Sequence, residues 1–309
     1  MGRRLDTLTA FGWMLSLYNG QRDRMEVIVK HILYNPRSGE GHAHELADRL
    51  RTQNEEQVEL VDITAFAGYD AFFAHIDAED DVILIGGDGT VNHFINDLTD
   101  TNIRNSVYYM PSGSGNDFAL DVEKSDVTEP FLLNDYIRDL PTVEVNGKVY
   151  RFINGTGFGI DGYCCEVGDR MHAEGKTPNY TSIAIKGLLF HYKPTNAVVT
   201  VDGVEHHFKK VWLSPTMFGR HYGGGMMPTP EQDRYAVGED RRLSVMLFHG
   251  AGRLRTLMAF PSIFKGEHVG KKMVTILSGR EITVKFDSPR AAQVDGETLL
   301  GVTEYTARA

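Results

Sequence analysis

The chain has 309 residues, 41% of them hydrophobic, and carries 32 Lys and Arg against 42 Asp and Glu, a formal net charge of −10. That length buries a full core and suits two domains, while the acidic balance excludes nucleic-acid binding and permanent electrostatic attachment to anionic membranes. Cys164 and Cys165 are the only cysteines and are adjacent, which excludes a disulfide framework and a spaced zinc site and points to reducing cytoplasm.

Residues 1–24 read as an N-terminal extension, non-native or helical. Arg3-Arg4 ahead of Leu8 to Leu17 has a faint signal-peptide character, but no small-residue cleavage site follows. Phe11, Trp13, Met14 and Leu17 give it a face that could touch a membrane. No run reaches the ~20 apolar residues of a spanning helix.

From Met25 onward, strand and helix periods alternate. Val27 to Tyr34 is an apolar, β-branched run that stops at Asn35-Pro36-Arg37-Ser38-Gly39-Glu40-Gly41, ahead of a helical segment from His42 to Thr52. Gln57 to Ile63 and Ala71 to Asp77 continue the βα pattern. Asp81 to Ile85 then runs into Gly86-Gly87-Asp88-Gly89-Thr90, before a helix over Val91 to Leu98. Glycines let the backbone bend sharply and bring its N–H groups to anionic oxygens, so this turn suits a phosphate. Asp88 adds a site for a magnesium-bound water or a proton acceptor. A third strand, Ser106 to Met110, ends in Pro111-Ser112-Gly113-Ser114-Gly115-Asn116-Asp117. Three such units in succession put their turns at the carboxyl edge of one parallel sheet, a nucleotide site in outline.

Near residue 140 the pattern changes to short alternating strands. Asn146-Gly147 and Asp202-Gly203 are hairpin signals, joining Thr142–Val145 to Val149–Ile153 and Val198–Val201 to Glu205–Phe208. Leu243 to Phe248, Met273 to Ile276 and Glu281 to Phe286 extend a second, antiparallel unit of sandwich type. Between them, Arg253 to Lys272 mixes Arg253, Arg255, Lys265, Lys271 and Lys272 with Leu254, Leu257, Met258, Phe260 and Phe264. It reads as an amphipathic helix packed on the sandwich and interrupted by Pro261, or as an interfacial surface. His42, His44, His206 and His207 have no carboxylate or cysteine at ligand spacing and read as solvated histidines.

Familiar nucleotide motifs do not fit. The turn at Gly87 lacks the third glycine of the dinucleotide fingerprint, Arg170 stands where a Walker A loop ending at Gly175-Lys176-Thr177 needs its first glycine, and no protein-kinase signature is present. Six ordered motifs instead resemble the catalytic family of soluble bacterial diacylglycerol kinases, relatives of sphingosine kinases and, more remotely, of NAD kinases and phosphofructokinases. They are Asn35-Pro36 with Ser38-Gly39, Gly86 to Thr90, Pro111 to Asp117, Asn154 with Gly159-Ile160-Asp161, Gly223 to Met226, and Asp295-Gly296-Glu297. Ser114 replaces the family's usual threonine, Ile160 a phenylalanine, and Arg241-Arg242 interrupts the Asp-Gly expected after Asp240.

The resemblance implies an α/β fold: a Rossmann-like domain of the NAD kinase and phosphofructokinase type over residues 25–139, with the tail from about 302 to 309 returning to it, and a β-sandwich lipid domain over 140–301. It implies a kinase that moves the γ-phosphoryl of ATP to a lipid hydroxyl, most readily that of diacylglycerol, with Mg2+ as cofactor, in the cytoplasm and transiently at the inner membrane surface, as a homodimer. Asn35, Ser38, Gly86, Gly87, Gly89, Thr90, Asn92, Ser112, Gly113, Ser114, Asn116 and Asp117 would contact the nucleotide. Asp88 would organise magnesium, most readily through water, and Asp240 a second, structural ion. Asp295 would be the general base with Glu297 beside it, although Asp88 could also serve, and Asp117 and Asp161 are further carried-over carboxylates. The competing activities are kinases for sphingoid bases or phosphatidylglycerol, NAD kinase, and a non-catalytic nucleotide- or lipid-binding regulator. The last predicts a missing carboxylate, and none is missing.

Overall fold

The computed structural model describes residues 28–36, 38, 42–53 and 57–309. The N-terminal extension, Arg37 and residues 39–41 of the first turn lie outside them.

The first unit is built on β1 (Val29–Tyr34), α1 (His42–Gln53), β2 (Gln57–Asp62), α2 (Tyr69–Phe73), β3 (Asp81–Gly86), α3 (Asp88–Asp97), β4 (Val107–Pro111), α4 (Asp117–Asp121), β5 (Phe131–Leu132) and α5 (Asn134–Ile137). Its five strands lie in the order β2-β1-β3-β4-β5, parallel except for β5. The strands read as nearly continuous apolar runs because both faces are covered. Leu33, Val82, Leu84, Val107 and Tyr109 point into a core with Val91, Phe94 and Phe118, while Ile32, Ile83, Ile85 and Met110 face Ala43, Ala47 and Leu50 of α1.

The second unit follows with β6 (Thr142–Val145), β7 (Lys148–Arg151), β8 (Gly155–Gly159), α6 (Ile160–Ala173), α7 (Tyr180–Lys186) and a π-helical turn, Gly187–His191. Then come β9 (Thr195–Val201), β10 (Val204–Val211), β11 (Leu213–Met217), β12 (Leu243–Phe248), α8 (Arg253–Ala259), β13 (Val274–Gly279), β14 (Glu281–Val294) and β15 (Glu297–Arg308). Both expected hairpins form, with Asn146 and Asp202 in the left-handed region at φ 51° and 48°. All pairings are antiparallel, in one ten-stranded sheet that branches at β14. Residues 282–286 of β14 pair with β9, residues 292–294 pair with β8, and bulges lie between. The bend folds the sheet over a core in which Val199, Ile282 and Val284 cluster with Val245, Leu247 and Phe158.

The closing residues depart from expectation. Instead of returning to the first sheet, 302–308 belong to β15, paired with β14 and β6. The reason is apolar: Val302, Tyr305 and Ala307 are buried in the second core beside Val143 and Val145. Pro261 stops α8, and a 3-10 turn, Phe260–Lys265, replaces the longer helix read from the sequence.

A buried ion cluster clamps the two units together. Asp121 at the end of α4 accepts from the main chain and Nε of Arg220 at 2.8 and 3.2 Å, from His221 Nδ1 at 3.3 Å, and from Arg234 Nε. Arg234 also reaches Ile153 O at 3.2 Å, and its guanidinium lies 5.2 Å from the ring centre of Phe118 and 5.4 Å from that of Phe218. His221 and Arg234 overcome the burial of Asp121 and hold its carboxyl well below the usual range. Removing one partner of such a group strands a buried charge at a cost of about 3–5 kcal/mol. Arg234→Leu is therefore expected to lower the thermal midpoint by on the order of 10 °C, and adding Asp121→Leu to recover part of the loss. Differential scanning calorimetry of the single and double variants checks this.

Candidate functional site

The chain leaves β1 towards β2 and comes back to β3 on the other side, so β1 and β3 mark a switch point, where open α/β sheets bind ligands. The turns after β1, β3 and β4 meet there. Asn35 N donates to Ile85 O at 3.4 Å, Ser112 N to Gly86 O at 2.9 Å, and the hydroxyls of Ser38 and Ser112 are 3.4 Å apart. A Cβ on Gly86 would stand 2.2 Å from Thr90 Oγ1, and one on Gly113 would stand 2.6 Å from Gly87 Cα. These glycines are fixed by contact: the two turns pack backbone on backbone. Gly87, Gly89 and Thr90 form the N-terminal end of α3, whose dipole favours an anion, although the Thr90 amide already donates to Gly87 O at 3.0 Å. Asn116, left-handed at φ 51°, bends the second turn, and its Oδ1 accepts from Gly113 N at 2.9 Å. Ser114 is exposed at the tip.

Asp88 is anchored rather than free. Its Oδ2 accepts from Asp117 N at 2.9 Å, and its Oδ1 from Phe118 N at 2.9 Å and Asn154 Nδ2 at 3.1 Å. Asp117 in turn accepts from Gly224 N at 2.8 Å and Gly225 N at 2.6 Å, which brings the Gly223 to Met226 motif onto the first unit. Burial, then the charge of Asp88, push the Asp117 carboxyl up to about 6. Oδ2 of both aspartates would lie 3.6 Å from a Cβ on Gly115, so two carboxylates converge on one open spot. This paired negative charge fits a hydrated divalent cation. Asp88, already holding three donors, would reach it through water.

Asp295 and Gly296, at φ 46° and 92°, form the tight turn of the β14-β15 hairpin, with Val294 paired to Glu297. The two carboxylates do not share a strand face as the spacing suggested, because Asp295 lies in the turn. Its side chain is buried inward, where Oδ1 accepts from Asn154 N at 2.8 Å and Gly155 N at 2.9 Å, and Oδ2 from Ile153 N at 2.7 Å and Asn92 Nδ2 at 3.2 Å. All four acceptor positions of the carboxylate are filled. Burial nevertheless outweighs these bonds and holds its pKa up at about 6. Asn92, expected to touch the nucleotide, is buried and turned onto Asp295. Glu297 faces outward: its Oε1 lies 3.4 Å from His93 Nε2 and would lie 3.6 Å from a Cβ on Gly89.

Asp161 heads α6 with Oδ1 buried and unpaired among the described residues, and burial pushes its carboxyl up to about 6. Asp240 is exposed on a 3-10 turn, Gly238–Asp240, and Arg241 beside it pairs with Asp139 at 2.9 Å. Among the described residues, no three His, Cys, Asp or Glu side chains converge on a metal position, there or elsewhere. The sequence reading missed Asp121, Arg220, His221 and Arg234, which fall in no recognised motif. Two hollows of about 350 and 380 Å³ lie away from the glycine turns, between α6 and the β14-β15 hairpin, lined by residues that include Tyr163, Glu166, Tyr192, Arg290 and Leu300.

Comparison with known proteins bears on the family and the fold. The family model for the diacylglycerol kinase catalytic domain matches residues 30–138, and that for the YegS C-terminal NAD kinase beta sandwich-like domain matches residues 155–307. A diacylglycerol kinase of Mycobacterium tuberculosis is 27% identical over 285 residues, covering 87% of this chain and 88% of that protein. A diacylglycerol kinase of Bacillus subtilis is 24% identical over 278 residues, covering 86% and 88%. The solved structure of a diacylglycerol kinase from Bacillus anthracis superposes with a TM-score of 0.56 at 17% identity, covering 91% of this chain and 94% of that one. With both family domains matched in order and diacylglycerol kinases as relatives over most of its length, the chain belongs to the diacylglycerol kinase-like family of lipid kinases.

Proposed function

We propose that this kinase transfers the γ-phosphoryl of ATP to a hydroxyl of a membrane-derived lipid, diacylglycerol first among them, to give phosphatidic acid. The observation that carries the reading is the junction of two packed glycine turns with Asp88, Asp117 and the Asp295-Glu297 hairpin. The backbone amides of Gly87 and Gly89, with the hydroxyls of Ser38 and Ser112, cradle the phosphates, while Thr90, Asn35, Ser114 and Asn116 edge the nucleotide. Asp88, through water, and Asp117 would hold magnesium, which when bound would supply charge neutralisation at the transferring phosphoryl group. The acceptor oxygen bonds to the γ-phosphorus, the bond to the β,γ-bridging oxygen breaks, ADP leaves, and the hydroxyl proton passes to a carboxylate of the cleft.

Asp295 is the proton acceptor we assign. Three of its four donors are main-chain amides fixed at the entry to β8, and the fourth is the Asn92 side chain. A substrate hydroxyl reaches Oδ2 by displacing that one movable donor. Glu297, in the same hairpin and open to the cleft, is the second reading, favoured by its exposure.

Incubation with γ-labelled ATP, magnesium and detergent-dispersed lipids tests the activity. Label is expected in phosphatidic acid when diacylglycerol is supplied, and not in NADP when NAD is the acceptor; label in another lipid alone would move the substrate assignment. A base acts unprotonated, and the Asp295 carboxyl is raised to about 6. The rate is therefore expected to rise about tenfold per pH unit below that point and to level off above it. Asp295→Asn should lower kcat at least roughly a hundredfold and remove the acid limb, with the KM for ATP within about threefold of wild type. Its thermal midpoint is followed alongside, since the new amide meets main-chain N–H groups. If Glu297→Gln removes the limb and Asp295→Asn keeps it, the role belongs to Glu297.

A further inference from the structure

The π-helical turn, α7, α8 and the 3-10 turn after it stack over one core: Ile183, Leu188 and Ile263 are buried together, with Leu257 and Phe260 packed on them. Arg253 pins the layers by donating to Leu188 O at 2.8 Å and stacking over Trp212. Satisfied inward, these elements still carry large apolar side chains outward. Ile185 is 43% exposed, Phe190 70%, Leu254 65%, Met258 67% and Phe264 45%. Leu254 and Met258 stand one turn apart on the same side of α8. Soluble proteins rarely leave such side chains grouped without a partner.

Charge selects the partner. Residues 180–193 and 253–272 contain seven Lys and Arg and a single carboxylate, Glu267, in a chain with 42 acidic and 32 basic residues. Lys186, Lys193, Arg255, Lys265 and Lys272 are exposed around the apolar side chains. Aromatic and aliphatic tips ringed by flexible cations match the two layers of an anionic bilayer: acyl chains for the first, headgroup phosphates for the second. A local basic rim is compatible with the acidic whole, because charges farther than about 8–10 Å are screened at physiological salt. Tyr192, which follows the π-helical turn, also lines the hollow of about 350 Å³.

We infer that this face docks the protein on anionic lipid bilayers, with Phe190, Leu254, Met258 and Phe264 entering the acyl boundary and the lysines and Arg255 meeting the headgroups. The inference rests on the lipid-kinase reading for its purpose, but the test does not. The full chain, without nucleotide, is sedimented with vesicles of phosphatidylcholine alone or with 30% phosphatidylglycerol. Binding is expected only to the anionic vesicles and should weaken as salt is raised. Leu254→Glu with Met258→Glu should lower the partition coefficient at least about tenfold, and Lys265→Gln with Lys272→Gln by about fivefold per charge removed. These exposed positions should leave the thermal midpoint unchanged, and Phe190→Ser, on another element, should weaken binding in the same direction. Wild-type-like binding by all the variants, or no binding by the wild type, overturns the proposal. So does a wild-type dimer in gel filtration that the Leu254→Glu, Met258→Glu variant dissociates, since the face would then belong to a second copy. Vesicle binding without phosphoryl transfer would keep the docking face and remove the kinase reading; transfer to detergent-dispersed lipid without vesicle binding would do the reverse.

Discussion

Everything in this molecule converges on five residues, Arg151 to Gly155, which carry the chain from β7 into β8. Arg151 donates to the carbonyls of Ile95, Leu98 and Thr99, satisfying the carboxyl end of α3. Its main chain exchanges hydrogen bonds with the Asn96 side chain. Ile153, Asn154 and Gly155 then present three successive amides to Asp295, Ile153 O receives Arg234, and Asn154 Nδ2 reaches Asp88. One stretch of backbone therefore sets the distance between the glycine turns of the first unit and the hairpin carboxylates of the second. Phosphoryl transfer demands that kind of control, because its catalysis is mostly positioning and charge stabilisation.

The site is electrostatically unbalanced by design of the fold. Asp88 and Asp117 face one glycine with no basic side chain among the described residues bonded to either, and Asp117, Asp161 and Asp295 are all pushed up to about 6 by burial. A buried carboxylate whose pKa rises on folding destabilises the folded protein above that pH, since the folded form would rather keep its proton. Asp121 has the opposite environment, with Arg220, Arg234 and His221 around it. The clamp at Asp121 holds the units together, and the unneutralised carboxylates are left to the ligands.

Much of this was legible in the sequence because local rules decided it. Apolar runs ending in glycine gave the parallel sheet and its edge, and Asn146-Gly147 and Asp202-Gly203 formed the hairpins their dipeptides require. What escaped depended on distant partners. Asp295-Gly296 is a hairpin turn of the ordinary kind, but its carboxylate is committed to amides some 140 residues earlier, which no spacing reveals. Asn92 was carried over as a nucleotide contact by resemblance, whereas its amide turns to Asp295. The tail was placed on the first unit by resemblance, whereas pairing with β14 and β6 puts it in the second sheet. Arg234 and Asp121 belong to no motif, so their pairing became visible only in three dimensions.

If residues 151–155 set the site, Asn154 acts on catalysis through Asp88, the carboxylate it meets at 3.1 Å. A double-mutant cycle on the single-turnover rate, using Asn154→Ala, Asp88→Asn and the pair, measures that coupling directly. The account predicts that the double variant is no slower than the slower single one, because each removes the same interaction. Rate losses that simply multiply would contradict it and would make Asn154 and Asp88 independent parts of the site.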